Sequence, residues 1–312
     1  MTHRPAPASH RTQEGNVTQP PLRLALLTSD DAHHRYCASL LTAHGFCIDP
    51  WIVEPASAQR HRRLARRKWR DWAAFEYHHW RRMVWGLDAY RRSYFRVDQT
   101  SMTIEPIIVD WINSPTAIQA LSNARHDLTV VMGTSILNER LLQACGGDVV
   151  NVHGGMLPHY RGNHCFWYAL ENGDLSRIGS TIHFVDRGID TGDIIEVVPT
   201  DVRDGDLAEH LYCRAEKAAL HRLAALLTGL AAGEPLPRSP QPSGGRTYRT
   251  RDRSPRDDVN SWFRRHWRRR AGGRGWAKSR SFGAPVARVE GQVPAMGDPV
   301  VNLLRAGWPC LR

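Results

Sequence analysis

The sequence predicts an α/β fold: a doubly wound, Rossmann-like, mostly parallel sheet with a helical insertion and an irregular basic C-terminal tail. Three observations lead there. Short aliphatic and β-branched runs alternate with stretches of helical periodicity along most of the chain. The first such runs read strand-helix-strand, which folds as a parallel pair with a right-handed crossover. The chain has 312 residues, of which 41% are hydrophobic, enough to bury the core of one large or two modest domains.

Residues 1–21 are rich in Pro, Ala, Thr and Gln and are expected to be disordered. Structure should begin at Leu22, where Leu22 to Leu27 is an apolar run closed by Thr28-Ser29-Asp30-Asp31. That pattern is a buried strand followed by helix-capping residues. Tyr36, Leu40 and Leu41 give His33 to His44 a helical period, Gly45 ends it, and Phe46 to Val53 reads as the second strand. Ser29 and Asp30 lie at the C-terminal end of the first strand, where open α/β sheets bind ligands. Helix capping is their plainer role.

Residues 54–100 interrupt this order. The run is dense in Arg, Trp, His and Tyr and nearly free of Gly and Pro, so it reads as one or two amphipathic helices inserted after the second strand. A basic aromatic face could neutralise and stack on nucleic acid or a nucleotide, or its tryptophans could pack on the body of the protein.

The alternation then resumes. Ile107 to Val109 is a short strand, and Ser114-Pro115 opens a helix with Ser at the N-cap and Pro at the first helical position. Leu128 to Met132 is a buried strand that ends in Gly133-Thr134-Ser135. Ile136 to Cys145 is a short helix, and Val149 to Val152 is the next strand. Beyond them, Ser180 to Val185 is β-rich and Leu207 to Leu230 has helical periodicity. Residues 246–312 are basic, carry scattered tryptophans and lack periodicity, which predicts a flexible tail.

Composition excludes some classes. The net charge of +11 and the pI of about 9.8 favour anionic partners without bearing on fold. No apolar run is long enough to span a bilayer, and the N-terminus lacks the apolar core of a secretory signal. The six cysteines are scattered, without metal-ligand spacing, as suits a reducing cytoplasm. Neither a Gly-x-Gly-x-x-Gly nor a phosphate-loop pattern follows the first strand.

The chemistry concentrates between Val149 and Glu196. Asn151 and His153 alternate at the end of a strand, so their side chains face the same way. Gly154 and Gly155 follow, letting the backbone approach a ligand. Asp190 lies in the turn from Gly188 to Gly192, which joins two strands that could flank the Asn-His strand. An amide, an imidazole and a carboxylate in one cleft suit acyl transfer through oxyanion stabilisation and managed proton transfer. No Ser or Cys stands in a nucleophile-elbow pattern, which favours direct attack by an amine. Taken singly, Asn151 could be a strand-end cap, His153 a buried structural histidine and Asp190 an ordinary turn residue.

Two motifs in this stretch resemble the 10-formyltetrahydrofolate-dependent formyltransferases. One is Asn151-x-His153 followed by Leu157-Pro158-x-Tyr160-Arg161-Gly162. The other runs from Gly179-Ser180-Thr181-Ile182-His183 through Asp186-x-Gly188-Ile189-Asp190-Thr191-Gly192-Asp193. The resemblance is specific over about 130–245 and does not extend over 54–100 or the end of the chain. It implies a catalytic domain over 22–245 with Asn151, His153 and Asp190 as catalytic triad. It implies 10-formyltetrahydrofolate as co-substrate, its pterin held by the backbone near Gly133, Ser135 and Leu137 and by the loop from Val185 to Ile189. Leu157 and Pro158 would shape the pocket floor, and no metal is implied.

The acceptor side is expected to involve Ser29, Asp30, Gly155, Tyr160 and Arg161. Gly155 stands where family members often carry Ser. The first loop is acidic where purine-pathway members hold a phosphate, which argues against glycinamide ribonucleotide. The residues after Gly245 lack the strand alternation of the β-barrel found in initiator-tRNA formyltransferases. The expectation is a cytoplasmic N-formyltransferase acting on the amine of a small molecule: an amino sugar, an amino acid or a specialised metabolite. The alternatives are a hydrolase releasing formate, a methionyl-tRNA formyltransferase-like enzyme and a nucleic-acid-binding protein.

Overall fold

The computed structural model describes residues 21–97 and 104–270. The expectations for 1–20 and 271–312 lie outside the described residues. A seven-stranded sheet has the order β3-β2-β1-β4-β5-β7-β8. It comprises β1 (Arg23–Thr28), β2 (Cys47–Val53), β3 (Ile107–Ile108), β4 (Leu128–Met132), β5 (Val149–His153), β7 (Gly179–Phe184) and β8 (Ile194–Pro199). The strands from β3 across to β5 are parallel. β7 runs antiparallel to β5, and β8 pairs with β7 rather than with β5. The turn bearing Asp190 therefore joins one strand beside β5 to another one place further out.

Alternation along the strands sorts the core into two layers. Leu24 and Leu26 of β1 pack with Val150, Val152 and Ile182 under α1 (Ala32–Ala43) and α8 (Ala208–Ala231). Ala25 and Leu27 point the other way, toward α5 (Pro115–Asn123) and α6 (Glu139–Ala144). The period of two in each strand is what allows one run to feed both layers. The Ser114 hydroxyl accepts from the Ala117 amide, so the Ser-Pro start of α5 holds. The expected helix from Ile136 shortens to α6, because Asn138 caps it by accepting from the Leu141 amide.

The described residues of the insertion, 54–97, form three helices, not one or two: α2 (Ala56–Ala65), α3 (Trp69–Val84) and α4 (Leu87–Tyr94). Gly86, in the left-handed conformation, breaks α3 from α4. The expected irregular tail is structured over 246–270. Arg246–Tyr248 forms β9, which pairs in parallel with β6 (Tyr160–Gly162), and Pro255–Arg270 forms α9. Tertiary pairing supplies the order that periodicity could not show. Asp258 at the start of α9 accepts from Tyr77 at 2.5 Å and pairs with Arg253 and Arg81. The α3 ring of His78 lies 3.2 Å from the carbonyls of Thr250 and Arg253. Insertion and C-terminal segment thus form one wall.

No helix among the described residues is long and apolar enough to cross a membrane.

Candidate active site

A cleft of about 1190 Å³ opens along the C-terminal edges of the parallel strands. This is where an open α/β sheet leaves strand ends and helix N-termini unpaired. Asn151 and His153 reach it from β5, opposite His183 and Thr181 of β7 in the antiparallel register. Asp190 reaches it from the β7–β8 turn, and the three expected catalytic groups converge.

The hydrogen bonds fix the protonation of both rings. His183 Nδ1 lies 2.7 Å from the Phe184 carbonyl, so it carries the proton and Nε2 is an acceptor. Asn151 Nδ2 donates to that Nε2 at 3.0 Å, which leaves its second N–H for the cleft. His153 Nε2 lies 2.9 Å from the Tyr160 carbonyl, so that nitrogen carries the proton and Nδ1 faces Asp190 Oδ2 at 3.5 Å. Burial pushes the His153 imidazole below its ordinary basicity, and His183 adds to this. Asp190 and the Tyr160 carbonyl oppose it, and the net direction is down. His153 is therefore neutral, with an open lone pair at Nδ1.

Asp190 is a non-glycine residue at φ 53°. Its turn is held by Asp186, which accepts from the Gly188 amide and the Thr191 hydroxyl, and by Gln241, whose Nε2 donates to the carbonyls of Asp190 and Gly192. The strain of that backbone is maintained by these bonds. Burial alone would raise the Asp190 carboxyl. His153 and His183, whose protonated forms would favour the anion at 3.5 and 3.7 Å, and the Gly162 amide, which donates to Oδ2 at 2.8 Å, outweigh burial and hold it well below the usual carboxylate range.

The other expected residues divide. Gly133, Ser135, Leu137, Val185 and Ile189 line the cleft. Leu157 and Pro158 do not; Leu157 is buried, with its amide bonded to the Thr181 hydroxyl. Ser29 and Asp30 lie outside the lining as well. Asp30 accepts from the Ser29 hydroxyl and from the Ala56 amide at the start of α2, so capping is their role. Gly155 sits behind His153, where a Cβ would come within 2.7 Å of Nε2. Tyr160 supports His153 through its carbonyl and bonds Asp174 through its hydroxyl. Arg161 donates to Gln241. These three residues buttress the triad from outside the cleft.

The sequence reading missed His183, Gln241 and the arginines of the insertion. Arg62 pairs with the fully buried Glu54 at 2.6 Å, and Arg91 pairs with Asp31 and with Glu209 of α8. The density of basic residues in 54–100 was a visible signal, but the acidic partners of Arg91 lie far away in sequence. Arg63, Arg66, Lys68 and Arg249 add positive charge to the wall. Among the described residues no group of three or more His, Cys, Asp or Glu is placed to hold a metal ion.

Comparison with known proteins points one way. Residues 112–227 match the family model described as formyl transferase. The methionyl-tRNA formyltransferase of Methylacidiphilum infernorum is 35% identical over 138 residues, 44% of this chain and 42% of that one. The methionyl-tRNA formyltransferase of Ralstonia nicotianae is 36% identical over 137 residues, 42% of this chain and 40% of that one. The matched region thus spans about two fifths of the length of these relatives. The crystal structure of phosphoribosylglycinamide formyltransferase from Anaplasma phagocytophilum superposes with a TM-score of 0.51 at 18% identity, over 74% of this chain and 99% of that one. That likeness concerns the fold.

Proposed function

From the match of residues 112–227 to the formyl transferase family, we propose that the protein transfers a formyl group from 10-formyltetrahydrofolate to the amine of a small molecule. The observation that carries this reading is the convergence of Asn151, His153 and Asp190 at one cleft, with the Nδ1 lone pair of His153 facing the Asp190 carboxylate at 3.5 Å.

10-Formyltetrahydrofolate would supply the reactive formyl carbon. Leu137, Val185 and the exposed apolar faces of Ile136 and Ile189 fit the faces of a flat heterocycle. The free N–H of Asn151 donates to the oxygen on which charge develops as the amine attacks. His153 Nδ1 accepts the proton that the amine sheds, and the imidazolium so formed is stabilised by Asp190 on one side and the Tyr160 carbonyl on the other. The proton then passes to the departing nitrogen. The resemblance alone implies an oxyanion role for the histidine; the tautomer supports a base role.

A cleft of about 1190 Å³ exceeds the usual range for one small ligand, roughly 300–1,000 Å³, which supports two substrates rather than formyl-folate and water. A second reading, transfer to methionyl-tRNA, is favoured by Arg63, Arg66, Lys68 and Arg249 on the wall. The experiment incubates the protein with 10-formyltetrahydrofolate, alone, with a panel of small amines, and with methionyl-tRNA. Formamide formation on a small amine supports the proposal. Equal formate release without any amine means a hydrolase, and product only on tRNA means the second reading.

A further inference from the structure

One part of the cleft is the crevice between β1 and β4, where the strand order reverses. Sheets of this kind take ligands at such switch points, and the N-terminus of a helix there ordinarily attracts an anion. In this chain the helix is α1, and an anion is already built in. Asp31, the N-cap, pairs with Arg91 at 3.2 Å, and burial notwithstanding the arginine holds the carboxyl well below its usual range. Arg91 also pairs with Glu209. Two carboxylates share the Arg91 guanidinium, and the next cation, Arg82, is taken by Asp88 at 3.0 Å, so the acids beside α1 outnumber the bases and a phosphate entering there would be repelled.

Two ring nitrogens lining the crevice have no hydrogen-bond partner, His33 Nδ1 and His34 Nε2, and on His34 the geometry fixes that nitrogen as a donor. His34 Nδ1 accepts the Asp31 amide at 3.1 Å. A neutral imidazole carries a single proton, which must then sit on Nε2. Burial keeps the ring neutral, lowering its pKa to about 4. Nε2 is buried with no hydrogen-bond partner, the ring is 2% exposed, and it lines the cleft beside Gly133. Gly133 leaves the room: a Cβ there would stand 2.5 Å from Nε2. A buried donor left unsatisfied is unfavourable, and a ligand oxygen would relieve it. Val131 of β4 pairs with Asn151 of β5, and Gly133 follows directly after β4 ends, so the donor and Asn151 open on the same cleft.

We propose that His34 is an acceptor-reading residue, donating its Nε2–H to a neutral oxygen of the amine substrate, a hydroxyl or carbonyl, in a crevice that Asp31, Glu209 and Arg91 close to phosphate. This rests on the formyl-transfer reading for the word acceptor, but its test does not use transfer. Two probes differ only by esterification: ethanolamine, with a neutral hydroxyl, and O-phosphoethanolamine. Protein labelled with ¹⁵N is titrated with each, observing the His34 ring and the Gly133 amide by NMR. The expected result is an Nε2–H tautomer at neutral pH, saturable shifts with ethanolamine, and at least tenfold weaker binding of the phosphate ester. Asp31→Asn should bring the ester to within about threefold of ethanolamine. His34→Leu, shown folded by its amide spectrum, should remove the Gly133 response to ethanolamine. An Nδ1–H tautomer, equal binding of both probes by the unaltered protein, or an unchanged Gly133 response in His34→Leu would overturn the proposal. Formamide formation on amines while His34 stays silent would overturn it too and leave the transfer reading intact.

Discussion

Asn151 donates an amide hydrogen to Nε2 of His183 across the antiparallel β5–β7 pair, at 3.0 Å. His183 is able to accept because its other nitrogen donates to the Phe184 carbonyl. The bond orients the Asn151 amide, so His183 is a positioning residue. His183→Leu is expected to lower kcat by roughly 10- to 100-fold, with the KM for formyl-folate changed far less. His183→Gln, which keeps an acceptor, should recover part of the loss. A matched rise in KM would mean that the ring serves binding instead.

Asp190 stabilises the protonated form of His153. Asp190→Asn should lower turnover by about 100-fold, as losing a preorganised charged group does. The sign of the pH effect follows from the same contact. Without the carboxylate the imidazolium is less stable, the His153 pKa falls further, and the acidic limb of kcat/KM moves to lower pH. A pH–rate profile of both proteins between about pH 5 and 9 reads this directly. A shift toward higher pH would contradict the pairing.

Gly162 links the site to the C-terminal segment. Its amide donates to Asp190, its φ is +82°, and a Cβ would stand 2.2 Å from the Tyr248 carbonyl on β9. Gly162→Ala should cost about 2 kcal/mol of stability and reduce turnover together, because the strained backbone and the Asp190 donor are one peptide. Denaturant unfolding and kcat measured on one preparation test the coupling.

Glu216 of α8 is fully enclosed, accepts from the Ser180 hydroxyl, and is pushed by burial from 4.5 up to about 7. The folded state therefore holds this proton more tightly than the unfolded chain does. The associated stability is complete below 4.5 and is lost as pH rises through 7. Glu216→Gln has no such loss. Relative to the parent protein it should gain about 3 kcal/mol between pH 4.5 and pH 8, the free energy equivalent of that displacement. Unfolding free energies at the two pH values decide the matter.

Asp258 accepts from Tyr77 and pairs with Arg253 and Arg81, and it is 3% exposed. Asp258→Ala would strand buried arginine charge and is expected to cost roughly 3 to 5 kcal/mol. Equilibrium unfolding measures it; a change under 1 kcal/mol would mean that the joint between α3 and α9 bears no load.

Much of this molecule could be read from residues alone, for identifiable reasons. Leu128 to Met132 and Val149 to Val152 announce themselves because strands buried on both faces need unbroken apolar runs. Asn151, His153 and Asp190 were found because motif order carries them. His183 escaped because its value depends on which residue of β5 it faces, and register is not written along one strand. β9 escaped because Arg246, Thr247 and Tyr248 have no alternation to detect; pairing with β6 makes them a strand. The division of the insertion turned on Arg67 and Gly86, two residues in the left-handed conformation within a long basic run.

Arg91 has a consequence for inheritance and engineering. It belongs to the insertion, yet it answers two carboxylates on the helices packed on the sheet: Asp31, the cap of α1, and Glu209 of α8. Excising the insertion would strand those acids, and transplanting it into another α/β scaffold would strand the arginine. The segment is therefore not a detachable module. Loss or gain of 54–100 in a lineage must travel with changes at positions 31 and 209, and a chimera built across this boundary should exchange all of them at once.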